Sequence, residues 1–374
     1  MFSPTFLYSN QLSLVMKILS VVGARPNFMK IAPIADALKA HEDVTHFLVH
    51  TGQHYDENMS KLFFDELGIP KPDVNLGVGA GSQSQQTAEM MVELEKVMID
   101  QKPDLVLVVG DCNSALAGAI VASKLHIKLA HIEAGLRSFN WQMPEEINRI
   151  VVDKLSNLLF TTEHSANENL KKEGITEGVH FVGNVMIDTL LNSLEKAESS
   201  KVLEALNLEA KNYAVLTMHR PGNVDKKEVL EGLLDTLAEI SKNIKIVFPI
   251  HPRTKKMVEQ FGLTEKLNSL QLTEPLGYLD FLKLNSNAKI ILTDSGGIQE
   301  ESTILKVPCV TLRGETERPV TVEVGGSVVV GQDRGKILSA VDTFLNGTAP
   351  EPGVPELWDG KAAERIVGEI IKNA

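Results

Sequence analysis

The chain has 374 residues, of which 43% are hydrophobic and 23% charged, a composition typical of a soluble globular protein with two domains. Its net charge of −12 argues against bulk attraction to nucleic acid or to an acidic membrane surface. Two cysteines, Cys112 and Cys309, make neither a disulfide framework nor a metal cluster, which favours the cytoplasm. No apolar run is long enough to span a membrane. Residues 1–15 do not resemble a signal peptide and are expected to be either an upstream start or a disordered leader.

The first half of the chain alternates apolar β-prone runs with amphipathic segments. Strands are predicted at 17–22, 44–50, 105–109, 128–132, 158–161 and 179–182. Helices are predicted at 28–39, 59–67, 82–101, 114–125 and 165–173. This repeat predicts a doubly wound, Rossmann-like domain with a parallel sheet. The sequence contains no G-x-G-x-x-G motif, so it gives no reason to expect a nicotinamide or flavin cofactor.

Charged residues follow several of these strands, where open α/β sheets place their chemistry. Arg25 and Lys30 follow the first strand, although either would also fit a solvated surface position. Asp111 and Glu133 follow two later strands, and Asp111 is alternatively the N-cap of helix 114–125. Pro144 suits the start of a helix that carries Glu145 and Arg149 at i and i+4. These last two residues are interpreted either as members of the site or as a surface ion pair.

The second half repeats the pattern after a polar helical segment at 187–206. Strands are predicted at 213–217, 245–249, 270–272, 290–292, 307–312 and 328–330, and helices at 227–240, 298–305, 334–345 and 357–372. His219 ends the first of these strands and is a candidate acid, base or phosphate ligand, or a structural histidine. Phe281 lies beside a helix start, where it would stack on a base or pack into the core. Two such halves imply a cleft between them.

The segment 288–318 predicts an anion site. Its strand runs into Ser295, Gly296 and Gly297 and then into a helix, so free backbone N–H groups and the helix dipole would face a ligand. Glu300 and Glu301 are expected in the first helical turn. Acids there would oppose a bare phosphate, which favours hydrogen bonding to ribose or sugar hydroxyls instead.

Ten motifs occur in order along the chain: GARPNFMK, GD, HIEAGLR, PEEINR, VGNVMID, MHRPGN, HPR, EPLGY, TDSGGIQEE and TERP. Together they resemble the non-hydrolysing UDP-N-acetylglucosamine 2-epimerase family over essentially the whole chain from Met16. The resemblance implies the GT-B fold, in which two Rossmann-like domains face a central cleft. It places the N-terminal domain at 16–186, the UDP-binding domain at 187–355, and a helix that crosses back to the first domain at 356–374.

The family interconverts UDP-GlcNAc and UDP-ManNAc by eliminating UDP to 2-acetamidoglucal and adding it back, with no metal or redox cofactor. Carried over by motif, the resemblance implies catalytic roles for Asp111, Glu133, Glu145 and His219. It implies that the UDP and phosphate contacts are Arg25, Lys30, Arg149, His219, Phe281, Ser295, Gly296, Gly297, Glu301 and Arg318. It further implies a homodimer and a regulatory substrate site near Gln53 and His54.

Three departures from the family pattern leave the substrate open: Cys112-Asn113-Ser114 after the Gly-Asp pair, Asn27-Phe28 after Arg-Pro, and Arg313-Gly314-Glu315 before TERP. A related subfamily acts on UDP-linked diacetamido uronic acids, and a cationic rim of Lys30, Arg137 and Arg149 would suit their carboxylate. A GT-B glycosyltransferase, a hydrolysing epimerase and a UDP-sugar sensor are further alternatives. Three carboxylates in the first domain favour elimination over transfer.

Overall fold

The computed structural model describes residues 15–52, 71–79, 81–347 and 352–373. The strands are β1 (Met16–Val22), β2 (Val44–His50), β3 (Val74–Asn75), β4 (Leu105–Val109), β5 (Lys128–Ala134), β6 (Leu158–Thr161), β7 (Val179–Phe181), β8 (Tyr213–Thr217), β9 (Lys245–Pro249), β10 (Gln271–Thr273), β11 (Ile290–Thr293), β12 (Cys309–Thr311) and β13 (Ser327–Val329).

The helices are α1 (Arg25–Leu38), α2 (Gln83–Gln101), α3 (Asn113–Lys124), α4 (Pro144–Leu155), α5 (His164–Lys172), α6 (Val185–Glu198), α7 (Val202–Ala205), α8 (Pro221–Val224), α9 (Lys227–Ile240), α10 (Pro252–Gln260), α11 (Tyr278–Ser286), α12 (Gly296–Ile304), α13 (Val320–Glu323), α14 (Arg334–Leu345) and α15 (Ala362–Lys372), with a 3-10 helix at Thr264–Ser269. Within the described ranges, none of these helices is long and apolar enough to cross a lipid bilayer.

The strands form two parallel sheets, one in each half of the chain. The first has the order β3-β2-β1-β4-β5-β6-β7 and the second β10-β9-β8-β11-β12-β13. Strand order reverses beside β1 in the first sheet and beside β8 in the second, which leaves a crevice at the carboxyl edge of each. The central strands, such as β4, are buried throughout, as expected for strands covered by helices on both faces. The prediction of two doubly wound α/β halves is confirmed.

In the first domain the ends of each predicted strand lie within two residues of those of an observed strand. The short β3 was not predicted. Helix α1 begins at Arg25, three residues before its predicted start. Pro26 suits the first helical turn because its φ is already helical. The Asn27 side chain accepts hydrogen bonds from the amides of Gly23 (3.1 Å) and Ala24 (2.9 Å). Asn27, a departure from the family pattern, therefore closes the turn that leads into α1.

In the second domain α12 begins at Gly296, two residues earlier than predicted. Glu300 and Glu301 therefore lie in its second turn, and their predicted first-turn position was wrong. The predicted helix 187–206 is divided between α6 and α7, and the last helix begins at Ala362 rather than at 357. The helix α10 was not predicted, because it buries just two of its side chains, Thr254 and Val258, and shows little apolar periodicity.

Helix α15 packs on the first domain although it follows the second domain in the sequence. Its buried residues Ile366, Val367 and Ile370 belong to the same hydrophobic cluster as Ile31 and Ile34 of α1. Burying side chains of this size stabilises the fold by about 1.5–3 kcal/mol each. The carboxylate of Asp188 on α6 accepts hydrogen bonds from the amides of Ala362 (3.2 Å) and Ala363 (2.7 Å), which fixes the start of α15.

Candidate active site

The carboxyl ends of β1, β4 and β5 lie side by side, so the charged residues that follow these strands meet at one edge of the first sheet. Lys30 Nζ lies 2.5 Å from Glu133 Oε2, and both side chains are nearly fully buried. Glu133 has a left-handed backbone (φ +69°), a conformation that costs energy in a non-glycine residue and is often found at functional sites. Lys30 and Glu133 therefore form a buried ion pair at the carboxyl edge of the first sheet.

Asp111 is more open than Glu133. Its side chain is 37% exposed, and Oδ2 accepts a hydrogen bond from Arg149 Nε (3.0 Å) and lies 2.8 Å from Arg149 Nη2. Burial raises the pKa of this carboxyl, but Arg149, Lys30 and Arg318 outweigh that effect and hold the pKa below its ordinary value. Asp111 is not the N-cap of α3, since Cys112 occupies that position. Its carboxylate is instead paired with Arg149.

Of the two interpretations of Glu145 and Arg149, the surface ion pair is wrong, because Arg149 is buried and is paired with other carboxylates. Arg149 instead binds Glu146 one residue further on, through Nη1 and Oε2. The Glu146 carboxylate also accepts hydrogen bonds from the amides of Ser138 (2.9 Å) and Phe139 (2.8 Å), so it holds the loop before α4. Glu145 lies in the first turn of α4 with its side chain partly exposed.

The second domain contributes the predicted anion site. Ser295 is the N-cap of α12, and Gly296 and Gly297 form its first turn. A Cβ placed on Gly296 would lie 2.8 Å from Arg318 Nη1, so this guanidinium lies directly over the glycine. Backbone N–H groups, the helix dipole and a cation are thus combined at one helix N-terminus.

His219 lies at the end of β8, beside this anion site, and is oriented by a residue that the sequence analysis did not select. Its Nδ1 lies 3.1 Å from Oδ1 of the fully buried Asp294. Asp294 Oδ2 also accepts hydrogen bonds from the amides of His219 (2.9 Å) and Arg220 (2.8 Å). Asp294 precedes Ser295 in the chain, and the TDSGG motif itself was the signal available for it. The contact with Asp294 is made by Nδ1 and not by Nε2.

Arg318 also crosses the cleft. Its Nε binds Glu300 on α12, and its Nη2 lies 3.9 Å from Glu133 Oε2 in the first domain. Burial lowers the pKa of Arg318, but Glu300, Glu133 and Glu317 outweigh it and raise that pKa. A row of alternating charges, Lys30, Glu133, Arg318 and Glu300, thus runs from one domain into the other. Glu300 was treated as a helix-terminus residue in the sequence, and its pairing with Arg318 is new.

Glu301 and Phe281 lie on the second domain. Glu301 is buried at 4% exposure and lies near the hydroxyl of Tyr278. Burial raises the pKa of Tyr278 well above its ordinary value, and the Glu301 carboxylate raises it further. Phe281 packs against a hydrophobic cluster that includes Tyr213, Leu284 and Ile291.

Two parts of the predicted site lie outside the described residues. These are the segment with Gln53 and His54 and the side chain of Arg25, whose backbone begins α1. In the described part of the chain, no cluster of His, Cys, Asp or Glu side chains is arranged to hold a metal ion.

Comparison with known proteins identifies the family. The sequence model of the UDP-N-acetylglucosamine 2-epimerase family matches residues 36–371. The chain belongs to this family. A Methanococcus maripaludis protein named UDP-N-acetylglucosamine 2-epimerase homolog is 48% identical over 96% of this chain and 100% of its own. The resemblance based on the ten motifs and the predicted epimerase class are therefore confirmed.

Two further relatives concern the fold and the substrate. The crystal structure of a Methanocaldococcus jannaschii UDP-GlcNAc 2-epimerase in complex with UDP-GlcNAc and UDP superposes with a TM-score of 0.88 at 46% identity, covering 96% of this chain and 100% of that one. This likeness confirms the GT-B fold. A UDP-2,3-diacetamido-2,3-dideoxy-D-glucuronate 2-epimerase of Pseudomonas aeruginosa is 42% identical over 95% of this chain and 99% of its own.

Proposed function

We propose that this protein interconverts UDP-N-acetylglucosamine and UDP-N-acetylmannosamine by reversible elimination of UDP. The observation that carries the proposal is the arrangement across the cleft. Carboxylates from neighbouring strand ends, Asp111 and Glu133, lie on one wall, and an anion site with Arg318 lies on the other. This geometry suits a reaction that moves a proton at C2 while a pyrophosphate departs from C1.

In the proposed reaction one carboxylate removes the C2 proton while the C1–O bond breaks. The electron pair of the C1–O bond leaves with UDP. A C1=C2 double bond forms, giving 2-acetamidoglucal. A second carboxyl then delivers a proton to the opposite face of C2, and UDP adds back at C1. We assign these proton transfers to Asp111, Glu133 and Glu145 together. The two strand-end carboxylates differ in their partners, a buried lysine for Glu133 and an arginine at the cleft for Asp111.

The second domain would hold the nucleotide. The backbone of Ser295, Gly296 and Gly297 receives the pyrophosphate, with Arg318 and His219 stabilising its charge. On the motif match alone, we assign Arg25, Lys30 and Arg149 to the same group. We assign the ribose hydroxyls to Glu301 and the uracil to Phe281, on the motif match alone. Gln53 and His54 are proposed to belong to a regulatory substrate site on the same ground.

The contacts of the cationic rim favour the neutral sugar over a diacetamido uronic acid. Lys30 is paired with Glu133, and Arg149 with three carboxylates. Arg137 lies in the interior and binds Asp153 (2.7 Å) and Glu173 (2.8 Å). None of these three cations is therefore available to a sugar carboxylate without giving up an existing ion pair. The diacetamido uronic acid remains the second candidate because of the Pseudomonas relative.

We further propose a cytoplasmic homodimer with domain boundaries at 186/187 and 355/356 and with hinges near 183–189 and before α15. The two proposed hinges lie together, because a Cβ placed on Gly183 would lie 2.1 Å from the Leu357 carbonyl oxygen. Domains connected at two adjacent points would close about one axis.

NMR of the purified protein with UDP-GlcNAc in deuterated water tests the proposal. Deuterium at C2 together with formation of UDP-ManNAc is the expected result. Loss of exchange is expected in Glu145→Gln but not in the surface control Glu198→Gln, whose side chain is 69% exposed. Free ManNAc and UDP would instead identify a hydrolysing enzyme. Absence of exchange would refute UDP-GlcNAc as the substrate, and the diacetamido uronic acid sugar would be assayed next.

A further inference from the structure

Glu317 connects three arginines at the boundary between the domains. It lies in the turn between β12 and α13, and its side chain is 1% exposed. Oε2 accepts a hydrogen bond from Arg313 Nη1 (2.9 Å), and Oε1 accepts one from Arg313 Nη2 (3.0 Å). Oε2 also lies 3.7 Å from Arg318 Nη1. The third guanidinium, that of Arg149, comes from the first domain, and its Nη2 lies 3.3 Å from Oε1.

Arg149 also pairs with Asp111, and the same Arg149 nitrogen, Nη2, contacts the carboxylates of both Asp111 and Glu317. Its Nη2 lies 2.8 Å from Asp111 Oδ2 and 3.3 Å from Glu317 Oε1, while Nη1 binds Glu146. Asp111 and Glu146 belong to the same domain as Arg149, but Glu317 does not. Arg149 therefore has its full set of partners only when the two domains are together.

We propose that Glu317 is a positioning residue that couples Arg149, and through it Asp111, to closure of the second domain over the substrate. The inference rests on the proposed function. When the domains are closed, Glu317 and Asp111 both contact the guanidinium of Arg149. The contact with Glu317 limits how far Arg149 can move toward Asp111. When the second domain withdraws, Arg149 turns its charge more fully to Asp111.

This sharing affects how well Asp111 works as a base. A general base is most effective when its pKa lies near the working pH. Burial raises the pKa of Asp111, and Arg149, Lys30 and Arg318 together lower it further than burial raises it. The Glu317 carboxylate acts against these cations. Removing its charge would therefore make Asp111 a weaker base.

Several charged and titratable groups surround Asp111. Among the described side chains, the titratable and charged groups on the elements packed around it are Lys30 of α1, Cys112 at the N-cap of α3, Glu133 of β5, Glu145, Glu146 and Arg149 of α4, and Glu317 and Arg318 of the second domain. Of these, Glu317 is the carboxylate of the second domain that directly contacts Arg149, the arginine that binds Asp111.

The test compares Glu317→Gln with Glu315→Gln. Glu315 also reaches across the cleft, where its Oε1 accepts a hydrogen bond from Asn140 Nδ2 (2.9 Å), but it has no contact with Arg149 among the described residues. We expect Glu317→Gln to reduce kcat for C2 exchange by roughly tenfold or more, to change KM by less than about threefold, and to move the acid limb of the kcat–pH profile to lower pH. Glu315→Gln should leave that acid limb in place.

A double-mutant cycle with Arg149→Lys decides whether Glu317 acts through Arg149. Lysine keeps the charge but cannot make three separate contacts. We expect the double variant to be no slower than Arg149→Lys alone, whereas multiplying losses would overturn the proposal. If Glu317→Gln does not fold, Glu317→Asp keeps the charge in the turn but withdraws it from Arg149, and should shift the profile in the same way.

The outcomes separate the two proposals. A wild-type protein without C2 exchange would refute the proposed function. Wild-type exchange with an unshifted pH profile in Glu317→Gln would refute the positioning role alone. A Glu317→Gln variant that loses UDP affinity in calorimetry while keeping the wild-type profile would assign Glu317 to Arg313 and Arg318, which would also overturn the positioning role.

Discussion

Replacing Glu133 with glutamine removes one charge from a buried pair and tests stability and chemistry at once. The Lys30 and Glu133 side chains are 8% and 3% exposed, and their charged atoms lie 2.5 Å apart. Breaking a buried pair by removing one partner costs about 3–5 kcal/mol, because the remaining charge stays buried. Asp111 and Glu300 are also near Lys30, so we expect the lower end, about 3 kcal/mol. At about 2–4 °C per kcal/mol for a domain of this size, Tm should fall by about 6–12 °C.

The double variant Lys30→Met/Glu133→Gln separates this loss of stability from the loss of chemistry. It removes both charges, so calorimetry should show that most of the lost Tm returns. The rate of C2 deuterium exchange should remain reduced by roughly 10²–10⁴-fold in both variants, the usual contribution of a general acid or base. Exchange within tenfold of wild type in either variant would refute a proton-transfer role for Glu133. An unchanged Tm in Glu133→Gln would refute the stabilising role of the buried pair.

Three other substitutions test separate parts of the structure. Gly296→Ala would place a Cβ 2.8 Å from Arg318 Nη1 and should weaken UDP binding about tenfold in calorimetry. A Cβ on Gly297 has its nearest neighbour at 4.0 Å, so Gly297→Ala should change UDP binding far less. Equal effects of the two substitutions would contradict the close approach of Arg318 to Gly296. Ile366→Ala in α15 should lower the unfolding free energy in urea by about 2–5 kcal/mol, and a loss below 1 kcal/mol would contradict full burial. Burial raises the pKa of Glu163 to about 7. Since this exceeds the unfolded value, the stability contribution of Glu163 is full below pH 4.5 and falls as pH rises through 7. Glu163→Gln should therefore gain about 3 kcal/mol over wild type between pH 4.5 and pH 8, and a pH-independent difference would refute this.

Much of the fold could be predicted from the sequence because buried parallel strands are continuous apolar runs. The predicted strands 44–50, 105–109, 213–217 and 245–249 match β2, β4, β8 and β9 residue for residue. Segments without such a signal were missed. Helix α10 buries two side chains and is otherwise polar, and β3 has two residues, so neither shows a periodicity that identifies it.

The site residues that follow strand ends could be predicted from the sequence. The ion pairs between side chains of different elements could not. Lys30, Asp111 and Glu133 were found because the carboxyl ends of parallel strands meet at one edge. Helical spacing allows Arg149 to pair at i−3 or i−4, and the loop amides bound by Glu146 decide between them. The contact between Arg149 and Glu317 joins residues 168 positions apart, a distance over which no local pattern operates.

The position of α15 has a consequence for how the protein is made. Ala362, Ala363, Ile366, Val367 and Ile370 contribute to the core of the first domain, yet they are synthesised after the strands of the second domain. A nascent chain that has finished the first seven strands still exposes the apolar surface of α1 that these residues cover. The second domain has all its strands before α15 is synthesised, and domains fold as units during synthesis. We therefore expect the second domain to reach its folded state on the ribosome before the first domain does, the reverse of the order in the sequence.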